Sequence, residues 1–576
     1  MRFVLSIFLM LTTFFYAQNV QLTILETSDV HGKIFPYDFV EGTKTGHSLA
    51  SVKYYVDSLR TVNPEGTLLL DNGDILQGSP AVYYYNYIDT SSSHLYADVI
   101  NYIGYDAGTV GNHDIEAGHP VYDKFAKTLN FPWLAANAIN TKTGKPYFQP
   151  YHIIERSGVK IAVLGLITPG IPNWLPPSIW SGIEFIDMVR SAEEWIPVIK
   201  KKENPDIIIG LFHSGVEYTY GGTTRETKRN ENASLIVAED VPGFDIVFVG
   251  HDHHGWNEYV TDTNGDSVLI IGPTSSARDI AKVDINFNTE TRDFNISSRI
   301  VNLGNAPESE EYLTNFNPQF EAIKKFVDKP IGKLTADICS GDAVIANAAF
   351  TDLIHKIQLE ISGADISFAA PLSMNTCLEA GEIKVAHLFD LYKYENLLYT
   401  MRLSGREIKE FLEYSTSLRY TNIASEHILK LRLEDGKAIL NSRGKASPAN
   451  SFYNFDDAEG INYSVDLSKP EGSRVTISEF SDGTEFYSDS LYKVAINSYR
   501  GSGGGGHLTK GSGIPREELN SRILFSTSAD LRYYMINYIE QRKIIKPLET
   551  QNWKLLPEAE AREKLQKDKL LLLGSE

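Results

Sequence analysis

Five times in its first half this sequence runs through a short apolar stretch and then breaks at once into residues that bind metals. LTIL (22–25) leads to Asp29 and His31, TLLL (67–70) to Asp74, and AGTV (107–110) to Asn112 and His113. DIIIGLF (206–212) leads to His213, and DIVFV (245–249) to His251 and His253. Runs of this length, rich in branched residues, suit buried strands, and IAVLGL (161–166) is another. Strands alternating with helical stretches predict a layered α/β domain. In an open α/β sheet, ligands bind outside the carboxyl ends of the strands. All five polar sets fall where such ends should be.

The residue types narrow the chemistry. Side chains two apart in an extended segment face the same way, so Asp29 should pair with His31 and His251 with His253, while His254 points away. Glycines 73, 111, 215, 250 and 255 would let the backbone turn beside the ligands. Asp29, His31, Asp74, Asn112, His213, His251 and His253 offer imidazole and oxygen donors without thiolate, which suits zinc, manganese, iron or cobalt. Seven ligands exceed one tetrahedral site and suit two divalent ions that share a carboxylate. Such pairs are a known device for phosphoryl hydrolysis.

The remaining features bound the setting. A chain of 576 residues exceeds the ~250–300 that one core supports, so two domains are expected. The formal net charge of −20 argues against binding of a nucleic-acid polymer, which needs a basic face. Residues 1–17 read as a signal peptide: Arg2, then the apolar run from Phe3 to Phe15, then Ala17. That run is shorter than the ~20 residues of a spanning helix, and no later stretch could cross a membrane. Export is therefore expected, to a periplasm or to the outside. Cys339 and Cys377 lack metal-ligand spacing; they form one disulfide or stay free, with no function expected of them. Residues 305–333 are charged and helix-like and read as a connection, and 334–555 as a second mixed α/β region. Residues 556–576 read as a charged tail with a terminal helix.

In this order, DVH, GD, GNHD, FHSG and GHDH resemble the calcineurin-like metallophosphoesterases. LLLDNGDILQGSP (68–80), YNFD (453–456) and NSYRGSGGG (497–505) make the wider chain similar to the bacterial 5′-nucleotidase family. Within it, the resemblance is closer to the 2′,3′-cyclic-nucleotide 2′-phosphodiesterase/3′-nucleotidase group. The resemblance implies a four-layer α/β sandwich over 20–304, a linker helix over 305–333 and an α/β nucleotide-binding domain over 334–555. One metal would sit among Asp29, His31, Asp74 and His253. The other would sit among Asp74, Asn112, His213 and His251. His113 would be the catalytic histidine, oriented by Glu116. Tyr499 would stack on the base, with Tyr453 or its rival Phe455 on the other face. The 5′-nucleotidases of the family place arginines in the second domain near the substrate, but the comparable stretch SFAAPLSMNTCLEAG (367–381) has none. Asn375 there could bond a substrate without supplying charge. This favours the cyclic-nucleotide and 3′-nucleotide reading over 5′-nucleotide or UDP-sugar hydrolysis, over a sulfur ester, and over nucleotide binding without turnover. The expected partner is a small nucleotide; no obligate protein partner is implied. GSGGGG (501–506) also fits a dinucleotide fingerprint, but HLTKGSGIP follows where a helix should, so a loop beside the base is expected.

Overall fold

A computed structural model describes residues 19–547 and 550–574; the expected signal peptide lies outside the described residues. Two six-stranded sheets lie face to face in the first half. One runs Phe294–Asn302, Asp279–Asn288, Asn19–Thr27, Thr67–Asp71, Ala107–Thr109, Trp133–Leu134 from edge to edge. The other runs Trp256–Thr261, Ser267–Gly272, Ile246–Val249, Ile207–His213, Val159–Ile167, Tyr151–Arg156. Within each sheet the ligand-bearing strands pair in parallel, which brings their carboxyl ends to one side.

Burial explains why these runs are continuously apolar. Parallel strands covered on both faces cannot alternate with polar residues, and every residue of Ile207–His213 is buried. Leu22, Ile24, Leu68 and Leu70 meet Ile161, Val163, Ile209 and Leu211 between the sheets. Each such side chain contributes about 1.5–3 kcal/mol when fully buried. Helices Leu49–Val62, Leu95–Ile103 and His119–Thr128 cover one outer face. Helices Met188–Glu203 and Ser234–Asp240 cover the other. Helix, sheet, sheet and helix make the four layers expected.

The connection differs from the single helix read from the sequence. It is two helices, Glu310–Asn315 and Asn317–Val327, broken at Phe316. Pro318 has no amide hydrogen to donate to the preceding turn, and it sits in the first turn of the second helix, where none is needed. Tyr312, Phe316, Ile323 and Val327 pack into the first core, so this segment completes the outer layer of the first half.

In the second half a five-stranded mixed sheet runs Asp457–Glu459, Ile366–Ala369, Leu491–Asn497, Leu397–Ser404, Ile523–Asp530. Helix Ala349–Ser362 packs on one face and Gly405–Arg419 on the other. Cys339 and Cys377 form a disulfide between two short strands. The expected charged tail is an integral part of this half. Helix Glu558–Leu573 is pinned by fully buried Asp568, which accepts from the amides of Ile428 and Leu429 at 2.9 Å and pairs with His427 Nδ1 at 2.7 Å.

The halves meet through a buried polar joint. Tyr83 Oη donates to Asp530 Oδ1 at 3.0 Å and Tyr87 Oη to Glu395 Oε2 at 3.1 Å. Arg532 lies over the rings of Tyr83 and Phe389, which touch each other edge-on, and donates to the carbonyls of Tyr392 and Lys393. Among the described residues, no helix is long and apolar enough to cross a membrane.

Candidate active site

The seven expected ligands converge at the carboxyl ends of the parallel strands. Asp29, His31 and His253 form one group, and Asp74, His213 and His251 another. In the first, His31 Nε2 stands 3.1 Å from His253 Nε2, and His253 Nε2 stands 3.3 Å from Asp29 Oδ1. In the second, His213 Nε2 lies 3.1 Å from both Asp74 Oδ2 and Asn112 Oδ1.

The backbone reaches this arrangement in an unexpected way. The strands stop at Thr27 and Val249, before the ligands. Asp29, His31, Asp74, His251 and His253 all adopt left-handed φ, between 48° and 78°. Side chains converge through these turns, not through strand alternation. At Gly111 and Gly250 the need is for space: a Cβ would stand 2.2 Å from Asp74 Oδ1 and 2.0 Å from Ser28 Oγ, respectively.

These donors fit divalent cations. Asp29 Oδ1 and His31 Nδ1 are buried without a hydrogen-bond partner. Burial pushes His31 and His251 down to about 4, so both are neutral imidazoles, the form that ligates. His213 is pushed up to about 10 against its burial by the carboxylates of Asp74 and Asp29.

His113 is held differently. Its Nδ1 pairs with Glu116 Oε2 at 2.5 Å across one turn of the short helix Asn112–Glu116, and its amide donates to Asp74 Oδ1 at 2.8 Å. Burial opposes its protonation, but Asp74 and Glu116 raise it to about 10. Its ring stands 5.5 Å from that of His31, and among the described residues its Nε2 makes no hydrogen bond.

On the second half, Tyr453 and Tyr499 are half-buried. Tyr394 meets Tyr453 edge-on at 6.5 Å. Burial raises the Tyr499 phenol, and neighbouring Tyr453, Tyr220 and Glu231 add to the rise against Arg500. One face of Tyr499 is covered by Gly504, where a Cβ would stand 2.6 Å from the ring. Phe455 has no such access: it is 2% exposed in the second core, with the Arg419 guanidinium over its ring, so it cannot stack on a base. Asn375 is exposed on a loop whose next residue, Thr376, donates its amide to Ser340 Oγ at 3.1 Å. His254, left out of the ligand set, turns back onto the carbonyl of Asp252.

Residues 22–255 match the calcineurin-like phosphoesterase family and residues 330–510 the 5′-nucleotidase C-terminal domain. The chain is a phosphoester hydrolase with the two-domain 5′-nucleotidase fold. The hydrolase is 28% identical, over 94% of its length, to the trifunctional nucleotide phosphoesterase protein YfkN of Bacillus subtilis, of which it spans 39%. It is 26% identical to the 2′,3′-cyclic-nucleotide 2′-phosphodiesterase/3′-nucleotidase of Haemophilus influenzae, over 94% of this chain and 88% of that one. A Staphylococcus aureus protein solved with alpha-ketoglutarate shares the fold at a TM-score of 0.74, with 22% identity over 93% of this chain and all of that one.

The sequence did not reveal the residues that hold the hydrolase's ligand loops. Fully buried Asp114 accepts four amides: Ile75 and Leu76 on Oδ1 at 2.9 Å, and Asp74 and Gly111 on Oδ2 at 3.0 and 2.7 Å. His213 Nδ1 bonds the carbonyl of Asn72 at 2.5 Å. Trp174 lies against the His251 ring at 5.7 Å. Asp114 stands inside GNHD and Asn72 inside LLLDNGDILQGSP, which were the available signals; Trp174 carried none.

Proposed function

We propose that this hydrolase cleaves phosphoesters of nucleotides, as a 2′,3′-cyclic-nucleotide 2′-phosphodiesterase and 3′-nucleotidase. The observation that carries the reading is the paired ligand groups beside the His113–Glu116 dyad; half-buried Tyr453 and Tyr499 of the second half accompany them. Names of relatives covering most of the chain support it.

In this reading Asp29, His31, Asp74 and His253 hold one divalent ion, and Asp74, Asn112, His213 and His251 the other. Zinc, manganese, iron or cobalt would suit the donors. Bound there, the two ions supply Lewis-acid charge to the phosphate and lower the pKa of water. The chain's own residues do the rest. Tyr453 and Tyr499 hold the base and so orient the ribose. Water attacks phosphorus opposite the ribose oxygen, and the P–O bond to that oxygen breaks. His113 Nε2 gives its proton to the departing oxygen, while Glu116 holds Nδ1 and keeps the ring in place. We assign residues 20–304 to the catalytic domain and 334–555 to the substrate domain, and the apolar run of 3–15 to export to a periplasm or beyond.

The test is phosphate release from 2′,3′-cyclic AMP, 3′-AMP, 5′-AMP and UDP-glucose, with and without manganese or zinc. Metal-dependent turnover of the first two, with little on the others, is the expected result. Preference for 5′-AMP or UDP-glucose would move the protein to 5′-nucleotidase chemistry. No turnover of any of the four with metal bound would sink the nucleotide reading.

A further inference from the structure

Among the described residues of 501–516, Arg516 alone reaches across to the first half by a hydrogen bond. Its Nη1 donates to the carbonyl of Asn173 at 3.2 Å and to that of Ser502 at 3.1 Å. Each carbonyl leads directly to a working part of the cleft. Asn173 precedes Trp174, whose indole lies on His251 at 5.7 Å with a tilt of 31°. Ser502 ends the short helix Ser498–Gly501, which carries Tyr499, and its amide is tied to the carbonyl of Ser498 at 2.9 Å. Gly503, at φ 96°, leaves room for the guanidinium, since a Cβ there would stand 3.2 Å from Nη1. A continuous path therefore runs from a metal ligand, through Trp174, Asn173, Arg516 and Ser502, to the tyrosine that would hold the base.

We propose that Arg516 is a positioning residue that sets the span between the metal ligands and the base-holding tyrosine, and so selects which ribose phosphate reaches the metals. The proposal rests on the nucleotide reading above. A ribose is short and stiff, so its 3′ and 5′ phosphates lie at different distances and directions from a base held at Tyr499. Two anchors at a fixed separation accept one of them and misplace the other, and a misplacement of about 1 Å can cost two orders of magnitude in rate. Arg516 touches neither the metal ligands nor a reacting atom. Because it is exposed, its loss removes the tie without opening either core.

The experiment compares the metal-loaded full chain with Arg516→Ala and Arg516→Lys on 3′-AMP, 5′-AMP and bis(p-nitrophenyl) phosphate, which has no base. In Arg516→Ala, kcat/KM for the preferred nucleotide should fall about tenfold or more. The ratio between the two nucleotides should shrink by a similar factor, while cleavage of the baseless ester changes less than about twofold. Arg516→Lys, which keeps the charge but not the fork of donors, should recover part of the ratio. A parallel loss on all three substrates would overturn the proposal, because it would mark general damage. So would an unchanged ratio between the nucleotides, and that result would leave the nucleotide reading standing. A parent enzyme that cleaves the baseless ester and neither nucleotide would instead remove the nucleotide reading, and the proposal with it.

Discussion

His113 shares a site with four other histidines and differs from them in how it is held. Its Nδ1 belongs to Glu116 and its amide to Asp74, which leaves Nε2 for a substrate. His113→Ala should lower kcat by about 10²–10⁴ with metal content unchanged by mass spectrometry; loss of metal would make His113 a ligand. Asp114 works one layer behind. Asn in its place accepts on one oxygen and turns an NH2 toward amides that need an acceptor. Asp114→Asn should therefore weaken metal affinity or activity about 10–100-fold, with excess metal restoring part of the loss. Titration of metal into the stripped variant would show this, and wild-type affinity would count against the role. The candidate ligands were legible because their types and their places after apolar runs are local facts. Their geometry was not. Strand alternation paired the right residues for the wrong reason, since five of the ligands sit in left-handed turns. Such conformations cost non-glycine residues about 1–3 kcal/mol each and persist when the surroundings enforce them. No pattern of Asp and His announces that.

At the level of elements, the strands were readable and the joints were not. Pro318 divides the connection into two helices, and their apolar face then completes the first core. The tail looked merely charged because the fully buried charge of Asp568, its anchor, is indistinguishable in sequence from its solvated neighbours. The joint between the halves carries a similar buried carboxyl. Burial raises Glu395 to about 8, although the Arg532 guanidinium 3.8 Å away pulls the other way. In the unfolded chain a glutamate loses its proton near ~4.3. Between those values the folded state holds the proton and the unfolded state does not, so stability falls as pH rises from about 4.3 to 8 and levels off above. Glu395→Gln removes that dependence and can still accept from Tyr87. Its melting temperature should match the parent's near pH 4 and exceed it at pH 8.5, by about 2–4 °C for each kcal/mol recovered. A difference that does not vary with pH would refute this origin.

Across the whole molecule, the two sheets of the first half and the facing second half are tied together at the ligand ends of the strands. Buried Asp29 and Asp74 repel each other there, and a cation between them relieves that repulsion. A ligand that binds the folded state alone, at a hundred times its Kd, stabilises it by about 2.7 kcal/mol. Chelation should therefore abolish activity and lower the melting temperature by several degrees, and added manganese or zinc should restore both. Full activity and an unmoved melting curve in chelator would exclude a metal role. The docking of helix Glu558–Leu573 also sets an order of closure. Asp568 reaches back about 140 positions to cap the amides of residues 428 and 429, and Leu572 closes the same core. Until that helix docks, the second half keeps an unsealed apolar face, although every residue of the proposed metal site lies far earlier in the chain. A truncation before Glu558 would therefore open the half proposed to choose the substrate and leave the proposed metal-binding residues in place.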